Sequence, residues 1–162
     1  MKVPEKKYAI GVIGTSRATV SEMEFAIEVG RLIARSGAIL VCGGLGGVME
    51  GAAKGASGEG GLTVGIVPGS RTSDANEFIK IPIATGMGEA RNILIVKSSD
   101  SLIAIGGGYG TLSEIATAMR LGVDVVGFRT WKVQGNDPDL VQRVESAEEA
   151  VTTALKLAVK HR

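Results

Sequence analysis

The sequence predicts an α/β fold, a Rossmann-like doubly wound parallel sheet with helices on both faces, as a single nucleotide-binding domain over residues 1–162. Three observations predict it. Short apolar runs rich in β-branched residues alternate with segments whose apolar positions recur at helical spacing. The runs are apolar throughout, as strands covered on both faces must be. Glycine, at 24 of 162 residues, is about twice its usual share of roughly 7% and gathers where the runs end.

In order, YAIGVIG (8–14) is a buried strand, and 21–37 is a helix with Phe25, Val29, Leu32 and Ile33 on one face and a capping box from Ser21 to Glu24. AILVCGG (38–44) is a second strand, and 47–58 a helix of small residues able to approach a sheet closely. LTVGIVPGS (62–70) is a third strand, and 78–86 is extended, with Pro82 placing it away from a central position. Residues 88–100 are helical and lead to the strand SLIAIGG (101–107). The helix 111–122 is closed by Gly122, and 123–131 is a strand. GNDPD (135–139) is a turn, and the last helix is capped by Ser146 with Glu149 three residues on. Right-handed crossovers then give a parallel sheet.

Composition narrows the chemistry. A formal net charge of +1 does not supply the concentrated basic field of a nucleic-acid surface. No run approaches the roughly 18 apolar residues of a membrane span, and the N-terminal apolar run is too short for a leader, so a cytoplasmic protein is expected. One cysteine, Cys42, and one histidine, His161, leave no Cys/His metal cluster and no histidine-based triad, so neither metal nor cofactor is expected. Reaction chemistry falls to carboxylates, Arg, Lys, hydroxyls and backbone.

Four strand-ending turns are distinctive: GTSR (14–17), CGGLGG (42–47), PGSR (68–71) and GGGYGT (106–111). A parallel sheet brings the C-terminal ends of its strands to one edge, so the four converge on one crevice. Glycine lets backbone approach a ligand, and the helix N-termini that follow offer free N–H groups to an anion, so a phosphate is the expected guest. The candidate binding residues are Gly14, Thr15, Ser16 and Arg17 in the first turn, and Gly43, Gly44, Gly46 and Gly47 in the second. Met87 follows from the segment GMGEARN, and Gly107, Gly108, Tyr109, Gly110 and Thr111 from the last turn. No Gly-Lys-Ser/Thr follows a glycine loop, and both long loops miss the third glycine of G-x-G-x-x-G.

Glu114 and Arg91 are the candidate catalytic groups. Glu114 has a structural alternative, since Thr111 to Glu114 also spell a capping box. Arg91, Arg17 and Arg71 stand either as anion ligands or as solvated charges, and Lys97 reads as a solvated helix end. Cys42 reads as a small buried residue, and Tyr109 either stacks on a base or shields the helix entry.

The segments GGLGGVMEGAAKGA, TGMGEARN and GGGYGTLSE resemble the LONELY GUY family of cytokinin-nucleotide phosphoribohydrolases, also labelled lysine decarboxylase-like, an activity not expected here. The resemblance runs from the first strand to the fourth helix and maps Glu114 and Arg91 onto the family's Glu and Arg. It implies cleavage of the N-glycosidic bond of a nucleoside 5′-monophosphate such as AMP, with Glu114 stabilising an oxocarbenium-like sugar and orienting water. It also implies a homodimer or larger homo-oligomer. Two departures, Gly106 in place of the motif's proline and the altered segment Met87 to Asn92, look like a subfamily resembling a molybdenum-cofactor carrier. That implies the alternative of a non-catalytic carrier or sensor of a phosphorylated ligand.

Overall fold

The computed structural model describes residues 6–135 and 140–160. Six strands form where apolar runs predict them: β1 (Ala9–Gly14), β2 (Ile39–Cys42), β3 (Thr63–Val67), β4 (Ile81–Ala84), β5 (Ser101–Ile105) and β6 (Val125–Phe128). A seventh, β7 (Val141–Arg143), pairs with β6 in the stretch before the last helix, where no strand was expected. At three residues, it is too short for an alternation to stand out in sequence. The helices are α1 (Val20–Arg35), α2 (Val48–Gly58), α3 (Asn92–Lys97), α4 (Tyr109–Leu121) and α5 (Ala147–Lys160), with single 3₁₀ turns at Thr72–Asp74 and Gly88–Arg91.

Every strand pairing is parallel, and the sheet order is β4-β3-β2-β1-β5-β6-β7. The chain therefore builds outward from β1 to β4, returns to the other side of β1 and builds outward again. That reversal makes a crevice between the C-terminal ends of β1 and β5, where doubly wound folds hold their ligands. β4 is an edge strand, as Pro82 requires.

β5 explains why its run is apolar at every position. Ile103 and Ile105 join the core under α1, α2 and α5, while Leu102 and Ala104 join the core under α3 and α4. All five of its residues are buried. On the first face Phe25 of α1 stacks on Phe128 of β6, with ring centroids 3.7 Å apart.

Helix starts differ from the sequence expectation in three places near the crevice, one being the helix expected over 88–100, which opens as the 3₁₀ turn Gly88–Arg91 and becomes α3 only at Asn92. The capping box of α1 uses Thr19 and Glu22, not Ser21 and Glu24: Glu22 N–H donates to Thr19 Oγ1 at 3.2 Å, and Thr19 N–H donates to Glu22 Oε2 at 2.8 Å. Both quartets fit the pattern, and the earlier one lengthens the helix. α4 begins at Tyr109 with Gly108 as its N-cap and no side-chain cap, so the capping box expected at Thr111–Glu114 does not form. Gly122 closes α4 in the left-handed region, and Ser146 Oγ accepts from Glu149 N–H as expected. The turn expected at 135–139 falls almost wholly outside the described residues, and His161 does so entirely.

The small residues of α2 let it cross α1 at backbone contact. A Cβ on Gly30 would overlap the Ala52 carbonyl, and one on Gly55 would overlap the Ile27 carbonyl oxygen. Gly→Ala within a helix ordinarily stabilises by about 1 kcal/mol. At Gly55 the sign should invert, because overpacking at a closed contact costs about 1–3 kcal/mol. Thermal melts should show Gly55→Ala less stable than the parent and Gly58→Ala, which faces open space, at least as stable. A Gly55→Ala protein melting above the parent would contradict the close crossing.

Candidate functional site

The crevice holds a cavity of about 410 Å³, within the range usual for small-molecule sites. Its floor is Val12 and Ile13 from β1, and its walls come from several loops. The β1 loop gives Gly14, Thr15 and Ser16, and the β2 loop gives Gly43 and Leu45. The β5 loop and α4 give Gly108, Gly110, Thr111 and Glu114, while Glu89, Arg91 and Asn92 close the remaining side with Met49 and Pro68.

Local chemistry explains why these loops are glycine-rich. A Cβ on Gly14 would overlap the Ile105 carbonyl, so β1 and β5 can run side by side to their ends only with glycine there. Gly106 has φ 56° and Gly107 φ 118°, conformations open to glycine, and they turn the chain from β5 into α4 within three residues. Proline, fixed near φ −65°, cannot occupy position 106 in this backbone, so the departure from the resembled motif carries a real change of loop shape. Gly43 leaves the space that Arg91 fills: a Cβ there would lie 2.7 Å from Arg91 Nη2 and 2.6 Å from Met49 Sδ. The β1 loop is fixed by its own bonds, with Thr15 Oγ1 accepting from Arg17 N–H at 3.0 Å and the Thr15 carbonyl accepting from Val48 N–H at 3.0 Å.

α4 aims its N-terminus at the cavity. Its opening N–H groups have no intrahelical acceptor, the first such bond running from Leu112 N–H to the Gly108 carbonyl at 3.1 Å. Without a side-chain cap, these donors and the helix dipole face the site. Arg91 is only 7% exposed, its Nη2 donates to the Gly43 carbonyl at 3.4 Å, and its Nε has no partner. Asn92, beside it, has a buried Oδ1 without a partner. A buried guanidinium left unsatisfied is costly, and an anion in the cavity would offset that cost.

Glu114 is also 7% exposed. Placed in the second turn of α4, it is not a helix cap, so that alternative for it is removed. Burial pushes its carboxyl up to about 7, against an opposing pull from the Arg91 charge. Burial also lowers Arg91 from its ordinary value, with Glu114 acting the other way. The two interact through the cavity without forming a direct ion pair. Cys42 is buried and its thiol is pushed up to about 11 by burial, so it stays protonated, as a small core residue would.

The structure thus brings Gly14, Thr15, Ser16, Gly43, Gly108, Gly110, Thr111, Arg91 and Glu114 onto one wall system. Gly44, Gly46, Gly47 and Gly107 shape the loops without lining the cavity, and Tyr109 stands beside it, 83% exposed. Arg17 is solvent-exposed, Met87 is 45% exposed, and neither lines the cavity. Arg71 pairs with Asp74 at 3.4 Å, and of its loop only Pro68 reaches the wall. Leu45, Met49, Glu89 and Asn92 were not anticipated. Glu89 lies two residues before Arg91 in the 3₁₀ turn Gly88–Arg91, and Asn92 follows Arg91 as the cap of that turn. Among the described residues no group of three or more His, Cys, Asp or Glu is placed to hold a metal ion, and no helix is long and apolar enough to cross a membrane.

Fold and cavity together define a Rossmann-like α/β protein with a donor-rich crevice at its topological switch point. Residues 7–159 match the SLOG cluster4 family, and the chain belongs to that family. It is 46% identical over 159 residues to a protein of Archaeoglobus fulgidus, covering 96% of this chain and 99% of the relative. Among solved structures it is similar to the molybdenum cofactor binding protein of Rippkaea orientalis, at 34% identity and a TM-score of 0.86, over 95% of this chain and 99% of that one. It is likewise similar to the Moco carrier protein of Chlamydomonas reinhardtii, at 35% identity and a TM-score of 0.83, over 96% and 99%. The similarity to the LONELY GUY enzymes therefore extends to the wider fold group, while the family match is to SLOG cluster4.

Glu114 makes stability depend on pH in a defined direction. Its carboxyl lies near 7 when folded against an ordinary 4.5, so between these values the folded protein keeps a proton that the unfolded chain has lost. Stability contributed by this group is fully present below about pH 4.5, declines as pH rises and is lost above about 7, a change of roughly 3 kcal/mol. Glu114→Gln should remove most of that slope and be the more stable protein at pH 8. Urea midpoints at pH 5 and pH 8 test this, and an unchanged slope in Glu114→Gln would contradict a buried, proton-holding carboxyl.

Proposed function

We propose that the chain binds a phosphorylated small ligand in the crevice at the ends of β1, β2 and β5 and carries it without converting it, the molybdenum cofactor being its cargo. The observation that carries this reading is the pairing of an uncapped α4 N-terminus with a buried Arg91 whose Nε has no partner, both at one cavity. Amides of Gly110 and Thr111 would hold phosphate oxygens, and Arg91 would supply the opposite charge. Burial favours the protonated form of Glu114, which limits its repulsion of an anionic guest. Full-length likeness to two molybdenum-cofactor-binding proteins at 34–35% identity supports this cargo over a nucleotide. The setting in which we place this role is the cytoplasm.

The test is retention. Protein mixed with the cofactor and passed through gel filtration should elute with about one molybdenum and one pterin per site, and Arg91→Ala should lose at least tenfold in affinity. Elution free of both would contradict the carrier reading.

A second reading is favoured by one specific observation, the buried Glu114 beside Arg91 in a cavity able to seat a ribose phosphate. In it Glu114 stabilises the oxocarbenium-like sugar of a nucleoside 5′-monophosphate, water attacks the anomeric carbon, and the base departs. Free base and ribose 5-phosphate are the products to assay. The carrier reading expects no base release above that of Glu114→Gln across a panel of nucleoside monophosphates; release that depends on Glu114 would establish the enzyme instead.

A further inference from the structure

Of the six aromatic residues of this chain, the three phenylalanines, Tyr8 and Trp131 are buried or partly buried, and Tyr109 is exposed. Tyr109 and Trp131 stand together at the mouth of the crevice. Tyr109 is the first residue of α4 and is 83% exposed, while Gly108 and Gly110 on either side of it line the cavity. Its ring leans on Trp131, with centroids 5.8 Å apart and planes inclined by 31°.

Trp131 and its backbone are held there by bonds from two sides. Its Nε1–H donates to the Gly108 carbonyl at 3.0 Å, tying the indole to the same loop. From β7, Arg143 grips the backbone on which it sits, Nη1 donating to the Thr130 carbonyl at 3.0 Å and Nη2 to the Trp131 carbonyl at 2.5 Å. Just before this segment Arg129 takes φ 49°, a left-handed conformation unusual outside glycine, with its guanidinium 5.0 Å above the Phe128 ring. The chain leaving β6 is thus bent back toward the glycine loop and fixed. The indole also packs against the core under α3 and α4, so that packing and the bond to a cavity-lining carbonyl together fix its ring beside the crevice.

We propose that Tyr109 and Trp131 form a stacking lip for the planar heteroaromatic ring of the ligand whose phosphate lies at the α4 N-terminus. This rests on the phosphate-binding reading above and adds the class of group at the ligand's other end. The two aromatics flank the loop that would hold the phosphate, so one molecule can reach both. The lip grips π-faces, while the phosphate pocket grips charge, and a ring-bearing ligand gains over its ring-less fragment through the lip alone.

Trp131 is the sole tryptophan, so tryptophan emission reports the lip directly. Two probes share one phosphate and sugar but differ in the ring: guanosine 5′-monophosphate and ribose 5-phosphate. Guanosine monophosphate should change Trp131 emission saturably and bind about tenfold tighter by calorimetry. Ribose 5-phosphate should bind with little spectral change. Tyr109→Ala, at an exposed position, should bring the nucleotide down to the affinity of ribose 5-phosphate and leave ribose 5-phosphate unchanged, and Tyr109→Phe should retain the difference. Equal affinities for the two probes in the parent, or a difference that survives Tyr109→Ala, overturn the lip while leaving phosphate binding in place. Binding of neither probe overturns both.

Discussion

The pairing of β5 with β1 is the constraint on which everything else depends. Ile10 to Gly14 align with Ser101 to Ile105 in parallel register, across almost ninety residues of intervening chain. Because β2, β3 and β4 had already been laid on the other side of β1, this return creates the switch point. It also sets the ends of β1 and β5 level, so the loops after them must share a narrow space. Gly14 and Gly106 answer that crowding, one by lacking a Cβ against the Ile105 carbonyl and the other by adopting a left-handed turn. Without the register there would be neither the crevice nor a reason for its glycines.

A second dependence follows at α4. Gly108, the N-cap of α4, carries no side chain to cap the helix. Free N–H groups thus face the crevice by default. Arg91, brought in from the 3₁₀ turn before α3, adds a buried positive charge through the gap that Gly43 leaves. Positive groups from two independent elements meet two carboxyl groups, Glu89 and the buried Glu114, and burial favours the protonated form of the latter. The uncapped N–H groups and the Arg91 charge are the features of the site that would favour an anion.

Much of this was legible in the sequence because buried parallel strands and glycine turns leave strong local marks. The continuous runs at 8–14, 38–44 and 101–107 gave strands at the expected places, and the rule that their ends converge located the crevice and seven of its lining residues, with Arg91 and Glu114 singled out separately as its charged groups. What sequence could not settle was decided by packing. Thr19 and Ser21 both open a capping box on paper, and Thr111 to Glu114 spell one that never forms, since a capping motif records a possible helix start and not the actual one. Arg17, Arg71 and Arg91 look alike as residues following or near glycine. Only Arg91 is enclosed, because its neighbours Gly43 and Met49 come from a different loop and helix, a relation no local window contains. β7 was missed for the opposite reason, its three residues being placed by their partner strand.

The account turns on where the phosphate sits. The most direct measurement is the structure of the protein crystallised with the molybdenum cofactor. It should place phosphate oxygens at about 2.7–3.2 Å from the amides of Gly110 and Thr111, with the Arg91 guanidinium turned to the same group. Cofactor bound elsewhere, such as at the surface cleft of Lys6, Lys7 and Ser36 at the opposite end of the strands, with the crevice holding only water, would contradict it.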